Sequence, residues 1–166
     1  PVTDLVLFGS QPDIHPVSRL ASQLGFRVLV ASARGAKSDA ESFPHAHEVR
    51  GVRAPDLASV VDAPEYTAAV LMSHNFVDDR LAIESLLHGT EVPYVGLMGP
   101  RKRFERMRSE LADEGVELER ADLERIATPV GLDLGGGEPI EIATSIVAEV
   151  LAVTNGRPGG RLSDSE

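Results

Sequence analysis

Five of the sixteen basic residues of this 166-residue chain fall between Arg101 and Arg108, although the whole chain carries a formal net charge of −10. The surrounding stretch reads strand, turn, helix. The apolar run ending near Leu97 suits a buried strand, Gly99 a turn, and Pro100 the first turn of a helix, where its missing N–H costs nothing. Arg101, Lys102 and Arg103 then sit at the partly positive end of the helix dipole, which disfavours cations by a few tenths to ~1 kcal/mol each. A phosphate or similar anion would resolve the conflict, because free N–H groups and cations would converge on it. The alternative is a solvated basic face paired with neighbouring carboxylates.

Three other stretches have residue types suited to ligand chemistry. Gly9-Ser10-Gln11-Pro12-Asp13 occupies the place of a dinucleotide fingerprint, but Gln11 stands where a second glycine would let a pyrophosphate approach the backbone. Beyond the next strand, where an acid would bind a ribose diol, the chain reads Ala31-Ser32-Ala33-Arg34; Arg34 could face a phosphate or simply be a surface arginine. Ser73-His74-Asn75 ends another apolar strand, where open α/β sheets place ligands. His74 could donate to a ligand, act as a general acid, or only bond the backbone of its turn. Asp78 and Asp79 open the following helix, where carboxylates are favoured electrostatically without any function, and a metal site from His74 with Asp78 lacks a diagnostic spacing. Gly135-Gly136-Gly137 before Pro139 makes a second candidate anion cradle, or a turn that only needs positive φ.

The elements that must position these residues alternate. Asp4 to Phe8 reads as a strand, followed by a helix with Val17, Leu20, Ala21 and Leu24 on one face that ends at Gly25. Arg27 to Ala31 is a second strand, so the start is a βαβ unit with a parallel sheet. A loop with a short strand at Glu48 to Arg50 follows, then a helix beginning at Pro55, a strand at Ala68 to Met72, and a helix reaching Gly89. The basic stretch adds one more strand and helix, to about Gly115. A short helix at Ala121 to Ile126 and a strong helix from Glu138 to about Val153 complete the pattern. The alternation predicts a doubly wound α/β sheet with helices on both faces and at least five parallel strands, with Gly9, Ser73 and Gly99 on one carboxyl edge. Residues 1–155 read as one domain and 156–166 as a flexible tail.

Composition narrows the classes. A hydrophobic fraction of 42% supports a sizeable core, and the absence of cysteine removes disulfides and thiolate chemistry. Acidity argues against nucleic acid as a partner. No apolar run approaches the ~18 residues of a membrane span, and the start lacks a leader pattern, so a soluble cytoplasmic protein is expected.

Four blocks, taken in order, resemble the XdhC/CoxI family: Leu7-Phe8-Gly9-Ser10-Gln11-Pro12-Asp13, Met72-Ser73-His74-Asn75-Phe76-Val77-Asp78-Asp79, Tyr94-Val95-Gly96-Leu97-Met98-Gly99-Pro100-Arg101-Lys102-Arg103, and Val130-Gly131-Leu132-Asp133-Leu134-Gly135-Gly136-Gly137-Glu138-Pro139-Ile140-Glu141-Ile142-Ala143. The last two are the more specific, and the resemblance is to the family's C-terminal Rossmann domain. It implies a Rossmann-like fold and an accessory role for molybdenum hydroxylases such as xanthine dehydrogenase and carbon monoxide dehydrogenase. Such proteins bind molybdenum cofactor, assist its sulfuration and pass it to the apoenzyme. The same resemblance marks Gly9, Ser10, Gln11 and Asp13, then Ser73 and His74, then Gly99 and Arg101 to Arg103, and finally Asp133, Gly135 and Gly136 as ligand-binding candidates, with Arg34 beside them. It also implies a molybdenum hydroxylase apoenzyme as partner, a homo-oligomer, and a cysteine-bearing N-terminal domain, so this chain is expected to be a stand-alone domain, a split subunit or a truncated form of a longer protein.

The leading expectation is a non-catalytic, cofactor-handling domain that holds the phosphate of a pyranopterin, or of its nucleotide extension, between the Gly9 and Gly99 turns. An NAD(P)-dependent oxidoreductase is the runner-up; it needs an intact glycine turn and an acid–base group, for which only His74 offers itself. A nucleotide-sensing regulatory module that dimerises is a third.

Overall fold

The computed structural model describes residues 3–33 and 41–165. Six parallel strands form one sheet: β1 (Asp4–Phe8), β2 (Arg27–Ser32), β3 (Glu48–Gly51), β4 (Thr67–Leu71), β5 (Tyr94–Leu97) and β6 (Ile126–Ala127). Their spatial order is β3-β2-β1-β4-β5-β6. This is the doubly wound Rossmann order, in which the direction of winding reverses between β1 and β4.

Alternation along the strands divides the core in two. Val6, Phe8, Leu29, Leu71, Val95 and Leu97 face a layer built by α2 (Phe76–Gly89), α3 (Arg101–Asp113) and the 3₁₀ helix Ala54–Val60. Leu5, Leu7, Val28, Val30 and Val70 face α1 (Ile14–Gln23) and α5 (Pro139–Thr154). Both sheet faces are therefore covered, as parallel strands require, and the strands read as near-continuous apolar runs for that reason. Among the described residues no helix is long and apolar enough to cross a membrane.

Three segments differ from the sequence expectation. The helix expected from Pro55 is a 3₁₀ helix whose buried residues are Ala54, Leu57 and Val60. That spacing of three matches the three-residue turn and not the 3.6-residue one. The helix expected at Ala121–Ile126 is a single turn, α4 (Arg120–Leu123), after which Ile126 and Ala127 pair with Val95 and Gly96 as β6. The expected tail carries a 3₁₀ turn at Leu162–Asp164, and the Arg157 N–H donates to the Ala152 carbonyl.

Gly9, Ser73 and Gly99 follow β1, β4 and β5 and so lie at one carboxyl edge. Gly9 is required by close packing: at φ +148°, an added Cβ would lie 2.5 Å from the Met72 carbonyl oxygen. The first turn thus hugs the end of β4, and what opens above it is a cleft.

Candidate functional site

A cavity of about 440 Å³ lies at the winding reversal, lined by Phe8 and the turn to Gln11, by Ser32 at the end of β2 and Ala33 after it, and by Ser73, His74, Asn75 and Asp78 after β4. Of the expected binding residues, Gly9, Ser10, Gln11, Ser73 and His74 meet here, and Asp13 joins them through His74. Arg34 lies outside the described residues.

The geometry around α1 gives the cleft its character. Asp13 is the N-cap of α1, yet its side chain caps nothing. Its Oδ2 instead lies 2.5 Å from His74 Nε2. A carboxylate only accepts, so His74 Nε2 carries a proton and donates to Asp13. His74 holds φ +59°, the left-handed region that non-glycine residues seldom occupy. The first turn of α1 contains no acidic residue, and the Ser10 and Gln11 N–H groups have no hydrogen-bond partner among the described residues. The Ile14 and His15 N–H groups donate to the Gln11 and Pro12 carbonyls and Pro16 has no N–H, so the uncovered donors are those of the turn before α1, set in front of the positive end of the helix dipole.

The lip formed by residues 73–75 is fixed from beneath. The Asn75 side chain accepts from the Asp78 N–H and caps α2. The Ser73 hydroxyl donates to Asp79 Oδ1 at 2.6 Å, and Asp79 is wholly buried. Arg103 reaches Asp79 Oδ2 at 3.1 Å, and Arg106 stacks over the Phe76 ring at 4.6 Å. Burial pushes the Asp79 carboxyl above its ordinary range, while Ser73 and Arg103 pull it back; burial is the larger effect.

These contacts correct the expectation for the basic turn. Arg103 is the partner of a buried carboxylate and does not await a ligand. Arg101 lines a separate pocket with Phe104, Arg108, Thr128 and Glu149, and Lys102 is exposed. Neither they nor Gly99 line the cleft at β1 and β4. Strand spacing puts the ends of β1 and β5 about 10 Å apart, with the Ser73–Asp79–Arg103 network after β4 between them. A shared site between the Gly9 and Gly99 turns is therefore not formed.

The glycine-rich cradle is also filled from within. Glu141 Oε1 accepts from the N–H groups of Gly137 and Glu138 at 3.2 and 3.0 Å. Gly136 is packed against this carboxylate, because a Cβ there would lie 2.8 Å from Glu141 Cδ. Asp133, Gly135 and Gly136 are exposed or turned to their own helix and line no part of the cleft. Nearby, Tyr94 donates to Glu149 at 2.5 Å, and Glu149 also takes the Gly131 N–H; burial and Glu149 together push the phenol far up. Among the described residues no group of three or more His, Asp or Glu could hold a metal ion.

The family model of the XdhC Rossmann domain matches residues 5–150. A protein of Bacillus subtilis (strain 168) named as a probable xanthine dehydrogenase subunit is 31% identical over 151 residues, which cover 91% of this chain and 43% of that protein. The uncharacterized protein YqeB of Escherichia coli (strain K12) is 30% identical over 94% of this chain and 28% of its own length. A crystal structure of a xanthine dehydrogenase from Bacillus halodurans superposes with a TM-score of 0.78 at 28% identity, covering 95% of this chain and 44% of that one. The structure of chuY from the E. coli strain CFT073 aligns with a TM-score of 0.52 at 14% identity and shares the fold alone. The chain spans less than half the length of the curated relatives it matches. With its sheet order, its cleft and these matches taken together, the chain belongs to the XdhC Rossmann domain family.

Proposed function

We propose that this domain binds the phosphate-bearing end of molybdenum cofactor, or of a related nucleotide, in the cleft between β1 and β4. In this reading it acts as an accessory domain in the maturation of a molybdenum hydroxylase such as xanthine dehydrogenase. The observation that carries the reading is the uncovered turn in front of α1. A helix N-terminus with its own N-cap carboxylate pulled away by His74, and with Ser10 and Gln11 N–H groups unpartnered among the described residues, is complementary to an anion. The family match, and the name of the Bacillus subtilis relative, point to the enzyme class served. The apoenzyme, a further domain on the same or another polypeptide, and a second copy of the chain are the partners this reading expects.

The residues fit the group by their donors, not by a metal set. The Ser10 and Gln11 N–H groups, with the positive end of the α1 dipole behind them, would hold the phosphate, and the pyranopterin would supply the metal-binding dithiolene; the chain's own part is to bind and orient. NAD binds weakly in this reading, because Gln11 crowds the pyrophosphate position and Ser32 offers no carboxylate to the ribose diol.

Calorimetric titration with molybdopterin released from a molybdenum hydroxylase tests the proposal, with inorganic pyrophosphate as competitor. Wild type should bind both. His74→Ala should weaken both about tenfold, because the Asp13 carboxylate, without its partner, is left as an unmatched negative charge beside the anion. Binding that survives His74→Ala and disappears with Arg101→Gln would move the site to the other helix and overturn the reading.

A further inference from the structure

We infer that the pocket bounded by α3, β6 and α5 is a second binding site, which takes a free α-amino acid with an apolar side chain, its carboxylate on Arg101 and its ammonium on Glu149. This goes beyond the phosphate reading and does not depend on it. The pocket, of about 370 Å³, shares no lining residue with the cleft. Its charged lining is Arg101, Glu105 and Arg108 from α3 and Glu149 from α5. Positions four and seven places after Arg101 fall on the same face of a helix, so the three from α3 look the same way. The positive and negative groups cancel, and a simple anion or cation entering the pocket therefore meets repulsion as well as attraction. A ligand carrying both signs can match both.

The four charged groups are not equivalent. Glu105 lies 4.0 Å from Arg108, so those two answer each other. Arg101 makes no hydrogen bond or ion pair among the described residues. Glu149 is held by one oxygen alone: Oε1 accepts from the Tyr94 hydroxyl and the Gly131 N–H, and Oε2 has no partner among the described residues. Holding Tyr94 and Gly131 explains the first oxygen and leaves the second unused. Arg101 and Glu149 thus line one cavity without reaching each other. A fixed acceptor and an unmatched cation across a gap suit a molecule with an ammonium at one point and a carboxylate a short distance away. Arg101 is also the first residue of α3, where the helix dipole favours the carboxylate end. The rest of the wall is apolar, from Phe104, Leu123, Ile126 and Pro129; the Thr128 hydroxyl is buried and offers no donor to the cavity.

The test uses L-leucine, leucinamide, which lacks the carboxylate, and 4-methylpentanoate, which lacks the ammonium, with binding followed by calorimetry and by the amide shifts of Ile126 to Thr128. Wild type should bind L-leucine about tenfold more tightly than either analogue, the effect of one hydrogen bond between charged groups. Arg101→Gln should remove the advantage over leucinamide, and Glu149→Gln the advantage over 4-methylpentanoate. The glutamine keeps a carbonyl oxygen for Tyr94 and Gly131, so only the unused oxygen changes in kind. Should that variant fail to fold, Arg101→Gln still decides the matter, because Arg101 is exposed and unpaired. Inorganic pyrophosphate, the probe of the cleft, should not displace L-leucine. Absence of L-leucine binding, equal affinities for the three probes, or a preference that survives Arg101→Gln would overturn the second site, and displacement by pyrophosphate would reduce it to a plain anion site. None of the three probes carries a phosphate, so these outcomes are separate from those of the molybdopterin titration.

Discussion

Two helix starts on this sheet look alike in sequence and differ in what they leave open. Each follows a glycine turn at the end of a parallel strand. At α1 the local carboxylate, Asp13, turns away to His74 and the Ser10 and Gln11 donors of the preceding turn stay uncovered. At α3 the conspicuous cation, Arg103, is already matched to the buried Asp79. The approach to α5 repeats the second case, with Glu141 occupying its own cradle. A basic or glycine-rich helix start thus marks an anion site only when the chain has not supplied the anion itself.

The largest expected effect breaks the contrast at α3. Arg103→Gln should destabilise the ligand-free protein by about 3 kcal/mol, because it strands the buried Asp79 carboxylate without a counter-charge. Urea denaturation measures this directly, and an unchanged midpoint would mean that Arg103 is free after all. At α5, Glu141→Ala should cost about 1 kcal/mol through loss of the capping box. It should also create weak phosphate binding there, seen as shifts of the Gly137 and Glu138 amides; silence at those amides would show that uncovered donors alone do not make a site.

The smallest effect is a pH dependence. Because burial raises the folded-state pKa of Asp79 above its unfolded value, its stabilising contribution is complete below the ordinary carboxyl range and is lost as pH rises through the raised value. The stability margin of wild type over Asp79→Asn should therefore narrow as pH rises above the ordinary carboxyl range. A margin that widens with pH, in paired denaturation series, would show that Ser73 and Arg103 outweigh burial.

Much of the fold is legible in the sequence. Apolar runs ending in Gly9, Ser73 and Gly99 predict the parallel sheet and its carboxyl edge, because strand burial on both faces leaves a plain signal. The cleft is legible in part, as Gly9, Ser10, Gln11 and Ser73 with His74. The pairing of Asp13 with His74 is not, since they are far apart in sequence and meet only through the β1–β4 register. Asp79 reads as an ordinary acid at a helix start; nothing local shows that it is buried while Asp78 is not. One feature that sequence reasoning missed did carry a signal: the three-residue spacing of Ala54, Leu57 and Val60. β6, two residues long, carries too little pattern to be read.

The two borders of the sheet have a bearing on assembly. One is β3, four residues bearing the Glu48–Arg50 ion pair, and the other is β6, followed closely by Pro129, which has no N–H to offer. Short, charged or proline-flanked rims are poor templates for strand addition. Growth of this sheet across a molecular boundary is disfavoured at both ends, so recognition of another chain falls to helix faces and to the loops of the carboxyl edge, the same edge that holds the cleft.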